Sequence, residues 1–220
     1  MSRQRTAVLI SGRGSNMRSL VAAAKAEDFP AEVALVLSNV ADAAGLDFAR
    51  SEGIATKVVD HKAFDSRETF ERAVQAVLEA HGIELVCLAG FMRLLSPWFV
   101  ESWRDRMLNV HPALLPSYRG LHTHERALAD GVKIHGATVH FVVPEMDAGP
   151  IIAQAAVAVR GDDTPQTLGA RVLEQEHVIY PRALALVASG AARVAGGRVV
   201  VAGEPAPGAA LVSPGAGLAH

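Results

Sequence analysis

The chain has 220 residues, half of them hydrophobic, which is enough for one sizeable α/β core and predicts a globular domain with a tail. A net charge of -2 and no Lys/Arg block argue against a general nucleic-acid binder and favour small-molecule partners. The lone cysteine, Cys87, excludes an internal disulfide, and the sequence has neither a signal-peptide pattern nor an apolar stretch of membrane-spanning length, so we expect a cytoplasmic protein with no membrane partner.

Apolar runs alternate with helical stretches through the first half of the chain. Strands are predicted at 6–10, 32–38, 56–59 and 84–89, and helices at 15–26, 42–52 and 66–81. Such alternation is typical of βαβ units. We therefore predict a single α/β domain with a Rossmann-like, mostly parallel, twisted sheet flanked by helices.

The second half of the chain predicts three further strands and a long helix. The strands lie at 106–110, 134–143 and 151–159, and the last two pair around a loop that contains Asp147. The long helix starts at Asp163-Thr164-Pro165, and we expect a kink or break at Pro181 because proline cannot donate to the preceding turn. We therefore divide the chain into a catalytic domain, 1–190, and a C-terminal segment, 191–220. Within that segment we expect a strand at 198–201 and a mobile or loosely attached tail at 204–220.

The first strand runs into a glycine-rich turn, Ser11-Gly-Arg-Gly-Ser-Asn16, and a helix follows at once. Backbone amides at a helix N-terminus favour an anion, and Ser15 and Asn16 add side-chain donors. A dinucleotide site is disfavoured because Met17 stands where a third glycine belongs. The turn predicts a monophosphate site; a tight turn that binds nothing is the alternative.

Asn109-Val-His-Pro112, followed later by Asp147, indicates acyl-transfer chemistry. Alternate side chains of a strand share a face, so Asn109 and His111 project together. An amide beside a protonated imidazole suits a carbonyl oxygen that becomes negative in a tetrahedral intermediate. Asp147 would hold His111 in its charged form, because a nearby carboxylate favours the imidazolium. Each residue taken singly is also compatible with an ordinary structural role.

Glu176 falls on the apolar stripe of the long helix. The stripe comprises Leu168, Val172, Glu176, Ile179 and Tyr180. Burying an unpaired carboxylate is costly, so Glu176 needs a partner. A substrate amine or hydroxyl and a structural partner such as an arginine both fit.

Histidines cluster in sequence but do not predict a metal site. They are His122, His124, His135 and His140, and their spacing matches no familiar metal motif. We therefore expect no metal. His122 and His124 precede a short predicted helix, 125–130, where capping or a place in a substrate loop fits them.

Seven segments together closely resemble the glycinamide ribonucleotide formyltransferase family. They are Ser11–Asn16, Leu88–Pro97, Leu108–Pro116, Gly120–His124, His135–Phe141, Met146–Pro150 and Gln175–Pro181. The resemblance covers about residues 6 to 190, in family order. It implies the formyltransferase fold, a reaction in de novo purine biosynthesis, and transfer of a formyl group from 10-formyltetrahydrofolate to the amine of 5'-phosphoribosylglycinamide without a metal.

The resemblance also implies roles for residues at matching positions. The catalytic trio is Asn109, His111 and Asp147. The ribonucleotide site is Gly14, Ser15, Asn16, Leu173, Glu174, Gln175 and Glu176. The folate pocket is lined by Arg67, Met92, Arg93, Leu94, Leu95, Asn109, Val143, Pro144, Glu145, Met146 and Asp147. A monomer and a homodimer are both compatible with the sequence.

Related chemistry leaves rival functions open. Methionyl-tRNA formyltransferase and formyltetrahydrofolate hydrolase share the Asn, His and Asp, but they carry a C-terminal RNA-binding domain and an N-terminal regulatory domain respectively, and we expect neither here. A non-enzymatic nucleotide-binding module that uses only the glycine-rich turn is the rival from another class. It leaves Asn109, His111 and Asp147 unexplained.

Overall fold

The computed structural model describes residues 3–203, 211 and 213. The strands in this part of the chain are β1 (Gln4–Ile10), β2 (Ala31–Ser38), β3 (Ala55–Val58), β4 (Leu85–Leu88), β5 (Met107–His111), β6 (Ile134–Phe141), β7 (Ile151–Ala158), β8 (Ala192–Ala195) and β9 (Arg198–Val201). The α-helices are α1 (Ser15–Ala23), α2 (Ala44–Ser51), α3 (Arg67–Ala80), α4 (Pro97–Ser102), α5 (Thr123–Ala129) and α6 (Pro165–Ala188), and a short 3-10 helix spans His61–Ala63.

A mixed sheet organises the fold, with strand order β3-β2-β1-β4-β5-β6-β7. Strands β1 to β5 pair in parallel, and β6 and β7 add antiparallel strands at one end. The predicted α/β class with a mostly parallel sheet is therefore confirmed. Strand order reverses between β1 and β4, and in such sheets ligands bind in the crevice outside the carboxyl ends of the strands at this switch point.

Strand β1 is buried on both faces, as parallel strands require. Val8 and Ile10 join a core beneath α1 and α6, whereas Ala7 and Leu9 join a second core beneath α3. Full burial of each large aliphatic side chain contributes roughly 1.5–3 kcal/mol. The two cores fix the sheet between its helical layers and so fix the positions of the strand ends.

We expected a kink or a break at Pro181; helix α6 continues through this residue, so there is no break, and the kink stays a prediction. Proline in a helix interior costs about 3 kcal/mol or more. The residues around it, Tyr180, Ala183 and Leu184, are fully buried. Their packing offsets the lost hydrogen bond, because an interruption would withdraw these side chains from the core.

Strands β8 and β9 form an antiparallel hairpin after α6. The predicted strand at 198–201 is confirmed, whereas β8 was not predicted. Ala192 is buried, and Val194 and Val199 pack against the first core. The division at residue 190 stays a prediction. The expected mobility of 204–220 falls outside the described residues, apart from 211 and 213.

Within the described residues, no helix combines the length and apolar character needed to cross a membrane.

Candidate active site

Asn109 and His111 lie at the carboxyl end of β5, and both line one cavity. The antiparallel pairing of β5 with β6 sets Asn109 opposite His140 and His111 opposite Thr138. Pro112 follows immediately and keeps His111 out of a helical conformation. The predicted shared face of Asn109 and His111 is present.

Both ring nitrogens of His111 face oxygen atoms. Nδ1 lies 3.4 Å from Asp147 Oδ2, and Nε2 lies 2.8 Å from the carbonyl oxygen of Tyr118. The side chains of His111 and Asp147 are largely buried, which strengthens their interaction. A neutral imidazole has only one N–H, so the charged ring alone can donate to both oxygens.

The Asp147 loop is held in place by backbone contacts. Gly120 N–H donates to Asp147 Oδ2 at 2.8 Å, and Phe141 N–H donates to the carbonyl of Pro150 at 2.9 Å. A Cβ added at Gly149 would lie 1.7 Å from the Phe141 carbonyl oxygen, so only glycine permits this approach. These contacts fix the carboxylate beside His111.

His140 orients the amide of Asn109. The His140 Nδ1 lies 2.8 Å from the Phe141 carbonyl oxygen, which makes Nδ1 the protonated nitrogen and Nε2 an acceptor. Asn109 Nδ2 lies 3.3 Å from this Nε2. Burial lowers the pKa of His140, which keeps the ring neutral. One N–H of Asn109 therefore faces His140, and the second is left for a ligand.

The cavity around these groups has a volume of about 430 Å³, which is within the usual range for a small-molecule site. Its lining includes the predicted residues Met92, Arg93, Leu94, Leu95, Asn109, His111, Val143, Pro144, Met146 and Asp147. Leu88, Phe91, Val100 and Val142 extend its apolar wall. The cavity can thus enclose a flat apolar group beside the polar trio.

Two residues predicted for the folate pocket lie elsewhere. Arg67 is the exposed first residue of α3 and does not line the cavity. Glu145 is also absent from the lining, and its carboxylate pairs with the Arg119 guanidinium at 2.7 Å. Contact of Arg67 and Glu145 with a ligand stays a prediction.

The glycine-rich turn forms an uncapped helix N-terminus. Gly14 occupies the N-cap of α1 with φ of 69°, and no side chain caps the helix. A Cβ at Gly14 would lie 2.8 Å from Met17 Cε, so the position also lacks space for a side chain. The first backbone N–H groups of the helix, beginning at Ser15, are therefore available to an anion.

Asn16 joins this turn to α6. Its Nδ2 donates to Glu176 Oε2 at 2.6 Å, and the exposed fractions are 8% for Asn16 and 6% for Glu176. Burial raises the pKa of Glu176, and the hydrogen bond from Asn16 opposes that shift. An amide is thus the protein partner of Glu176, where the sequence left a substrate group or an arginine as alternatives. Leu173 and Gln175 are half-buried and Glu174 is exposed on the same helix.

The clustered histidines do not assemble into a metal site. His124 Nδ1 and His135 Nε2 lie 3.2 Å apart. Burial lowers the pKa of His135 to about 4, which favours a neutral hydrogen-bonded pair. His122 is the exposed N-cap of α5, but its side chain makes no capping hydrogen bond. No group of three or more potential metal ligands occurs in the part of the chain that the structure describes.

Sequence reasoning missed three contributors to this site: Tyr118, Gly120 and His140. The backbone groups of Tyr118 and Gly120 act on His111 and Asp147, so their side-chain identities carry no signal. His140 was considered only as a metal ligand. Antiparallel pairing of β5 with β6 places it beside Asn109, and the register of that pairing was not predicted.

The chain matches the formyl transferase family, described as "Formyl transferase", over residues 4–184. It is 47% identical over 187 residues to phosphoribosylglycinamide formyltransferase of Escherichia coli strain K12, a match that covers 85% of this chain and 88% of that protein. It is 50% identical over 190 residues to the human trifunctional purine biosynthetic protein adenosine-3, covering 86% of this chain and 19% of that protein. The chain therefore spans about a fifth of the length of such trifunctional relatives.

Solved structures of related enzymes have a similar fold. Glycinamide ribonucleotide transformylase 1 from Symbiobacterium toebii superposes with a TM-score of 0.88 at 44% identity, covering 91% of this chain and 94% of that one. A formyltetrahydrofolate deformylase from Pseudomonas syringae superposes with a TM-score of 0.85 at 25% identity, covering 91% of this chain and 66% of that one. The fold, the convergence of Asn109, His111 and Asp147, and these matches lead to one conclusion. The chain belongs to the formyl transferase family.

Proposed function

We propose that this protein transfers a formyl group from 10-formyltetrahydrofolate to the amine of 5'-phosphoribosylglycinamide, a step of de novo purine biosynthesis. The observation that carries the proposal is the convergence of Asn109, His111 and Asp147 in one cavity beside the residues predicted to hold the formyl donor. The relatives named as phosphoribosylglycinamide formyltransferase support the choice of acceptor.

Asn109 and His111 would stabilise negative charge on the formyl oxygen. The substrate amine forms a new C–N bond to the formyl carbon, and the carbonyl pair of electrons moves onto oxygen. The free N–H of Asn109 and an N–H of the His111 imidazolium then donate to that oxyanion. As the oxyanion collapses, the bond from the formyl carbon to the folate nitrogen breaks, and a proton from the attacking amine passes to that nitrogen.

The carbonyl of Tyr118 imposes a condition on this reaction. His111 Nε2 faces that carbonyl at 2.8 Å, while Nδ1 faces Asp147. The ring has only two N–H groups. If Nδ1 keeps its contact with Asp147, Nε2 can donate to the formyl oxygen only after its hydrogen bond to the Tyr118 carbonyl is broken. Tyr118 has a positive φ of 56°, a conformation that is unfavourable for a residue with a side chain. Release of this turn is therefore compatible with substrate binding.

The ribonucleotide would span the switch point of the sheet. We assign its phosphate to the α1 N-terminus at Gly14, Ser15 and Asn16, and its sugar and amide region to Glu176 with the Leu173–Gln175 turn. Two strand spacings, roughly 10 Å, separate β1 from β5. That distance suits a ligand with phosphate at one end and a reacting amine at the other.

The folate would lie in the 430 Å³ cavity. Met92, Leu94 and Leu95 would contact the flat ring, and Arg93, Arg67 and the loop 143–147 would contact polar groups of the same ligand. The cavity fits because apolar side chains form much of its wall, while Asn109, His111 and Asp147 supply polar groups at one part of it. We also propose that the protein uses no metal, acts on small molecules as a monomer or homodimer, and works in the cytoplasm.

A spectrophotometric assay tests the proposal. Loss of the formyl group from 10-formyltetrahydrofolate is followed with and without 5'-phosphoribosylglycinamide. We expect deformylation only when the amine is present. Equal rates without the amine would assign the chain to formyltetrahydrofolate hydrolysis, and no deformylation in either case would leave a non-enzymatic binding module.

A further inference from the structure

One side of the cavity is an irregular segment, residues 90–95, which we call the wall segment. It follows β4 and precedes α4, and its central residues Met92 and Leu94 are exposed to 69% and 65%. Among the described residues, it makes no backbone hydrogen bond within itself. Its position must therefore be fixed by contacts with other elements.

The first fixed point is Ser11, at the end of β1. Its hydroxyl accepts a hydrogen bond from Met92 N–H at 2.8 Å, and its own N–H donates to the Gly90 carbonyl at 3.1 Å. The same hydroxyl donates to Asn39 Oδ1 at 2.6 Å, and Asn39 is 2% exposed. Because Asn39 takes the hydroxyl proton, the Ser11 oxygen is oriented to receive Met92.

The second fixed point is Glu71, on α3. It is 1% exposed, and its carboxylate accepts from Ser96 N–H at 2.7 Å and from the Ser96 hydroxyl. Burial of a carboxylate costs several kcal/mol unless hydrogen bonds compensate. Within the described part of the chain, the hydrogen bonds that Glu71 accepts both come from Ser96, the residue that follows the wall segment and caps α4. The buried Glu71 side chain thus holds that end of the segment through Ser96.

We infer that Ser11 and Glu71 are positioning residues that hold the wall segment at its two ends and thereby set the affinity for the formyl donor. The inference rests on the proposed function, because it takes the wall segment to contact folate. Neither residue lines the cavity, so each acts through Met92 or Ser96 rather than by touching the ligand. Loosening either end releases the Met92–Leu95 side chains from the positions that complete the apolar wall.

Tetrahydrofolate binding, measured by calorimetry, and steady-state kinetics test the inference on Ser11→Ala, Glu71→Gln and Glu71→Ala. Loss of one hydrogen bond corresponds to about a 3- to 10-fold weaker binding constant. We expect that rise in Kd for tetrahydrofolate and in KM for the formyl donor, with kcat and the ribonucleotide KM within about 2-fold. Glu71→Gln should lose less than Glu71→Ala, because its amide keeps one acceptor and can still bond to Ser96.

Glu68→Ala is the matched control. Glu68 is a carboxylate on the same helix, but it is exposed and pairs with Arg72 at the surface, so donor affinity should not change. If Glu71→Ala does not fold, Ser11→Ala and Glu71→Gln decide the question. Unchanged tetrahydrofolate affinity in these folded variants would overturn the inference but not the proposed function. An equal loss of affinity for the formyl donor and the ribonucleotide would do the same. A wild-type protein that binds no tetrahydrofolate would overturn the proposed function together with the inference.

Discussion

At the scale of single residues, His111 and His140 lie in the same site but have different neighbours. Asp147 and the Tyr118 carbonyl face the two nitrogens of His111, whereas burial lowers the pKa of His140 and so favours its neutral form. We therefore propose different roles for the two histidines. His111 donates a hydrogen bond to the oxyanion, and His140 orients the amide of Asn109. Their environments, rather than the residue type, separate these roles.

Replacing Asn109 tests the oxyanion assignment. Asn109→Ala should lower kcat by about 10²- to 10³-fold, because one donor to the developing charge is lost. KM values should stay nearly unchanged, since the interaction is made chiefly in the transition state. Steady-state kinetics with both substrates provide the measurement.

Asn109→Asp gives a matched comparison for that variant. It preserves the size of the side chain but substitutes a charged acceptor for the donor, so its activity should be no higher than that of Asn109→Ala. High activity in the aspartate variant would indicate that Asn109 only fills space.

Replacing Asp147 tests the charge on His111. Asp147→Asn removes the negative charge but retains an acceptor for Gly120 N–H, and kcat at neutral pH should fall by about two orders of magnitude. The deficit should shrink as pH is lowered, because solvent protons then supply the imidazolium. Rate profiles against pH provide the measurement. Asp47→Asn, which neutralises an exposed carboxylate on α2, should retain activity. A deficit of Asp147→Asn that does not depend on pH would contradict the role assigned to Asp147.

At the scale of secondary-structure elements, the β7 to α6 connection is fixed by a buried ion pair. The Asp163 side chain is 2% exposed, and its carboxylate oxygens accept from both terminal nitrogens of Arg171, at 2.7 and 2.8 Å. Thr164 and Thr167 complete a reciprocal cap at the start of α6. Since α6 carries Glu176, the junction also sets the position of the proposed ribonucleotide contact.

The pair predicts how stability depends on pH. Hydrogen bonding to Arg171 lowers the pKa of Asp163 in the folded protein. Its contribution is therefore fully present above the unfolded value of about 4 and is lost as pH falls further. Asp163→Ala should lower the free energy of unfolding by about 1.5–2 kcal/mol at pH 7, because hydrogen bonds to a charged partner are lost, with a smaller difference at pH 3. Urea titrations measure both values.

The surface pair of Asp47 and Arg50 is the control for that experiment. Their side chains are 84% and 52% exposed, so Asp47→Ala should cost less than about 1 kcal/mol. Equal losses for Asp47→Ala and Asp163→Ala would contradict the importance assigned to the α6 junction.

Local patterns predicted most elements but not their contacts. Apolar periodicity placed the strand now seen at Ala31–Ser38 within a residue of its start, because its side chains meet the core directly. Sequence alone left a kink and a break at Pro181 as alternatives, because the packing around Tyr180 that accompanies the continuous helix is tertiary. The contact of Met92 with Ser11 joins residues 81 positions apart and depends on the pairing of β1 with β4.

At the scale of the whole molecule, the reversal of strand order between β1 and β4 explains why the segments of the site lie together. It brings the glycine-rich turn after β1, the wall segment after β4 and the trio residues of β5 to one edge of the sheet. The sequence predicted the mostly parallel sheet. It also predicted the glycine-rich turn, the catalytic trio and Glu176 as separate features. It predicted neither the β5–β6 pairing that sets His140 beside Asn109 nor the packing of α1 against α6 that brings Asn16 to Glu176.

The central claim concerns which atom receives the formyl group, and isotope-resolved NMR tests this most directly. 10-Formyltetrahydrofolate labelled with ¹³C in the formyl group is incubated with protein and with ribonucleotide labelled with ¹⁵N at its amine. The account predicts a product carbon coupled directly to ¹⁵N, formed by wild-type protein and strongly reduced in Asn109→Ala. Appearance of the label as free formate, with no carbon–nitrogen coupling, would contradict the account.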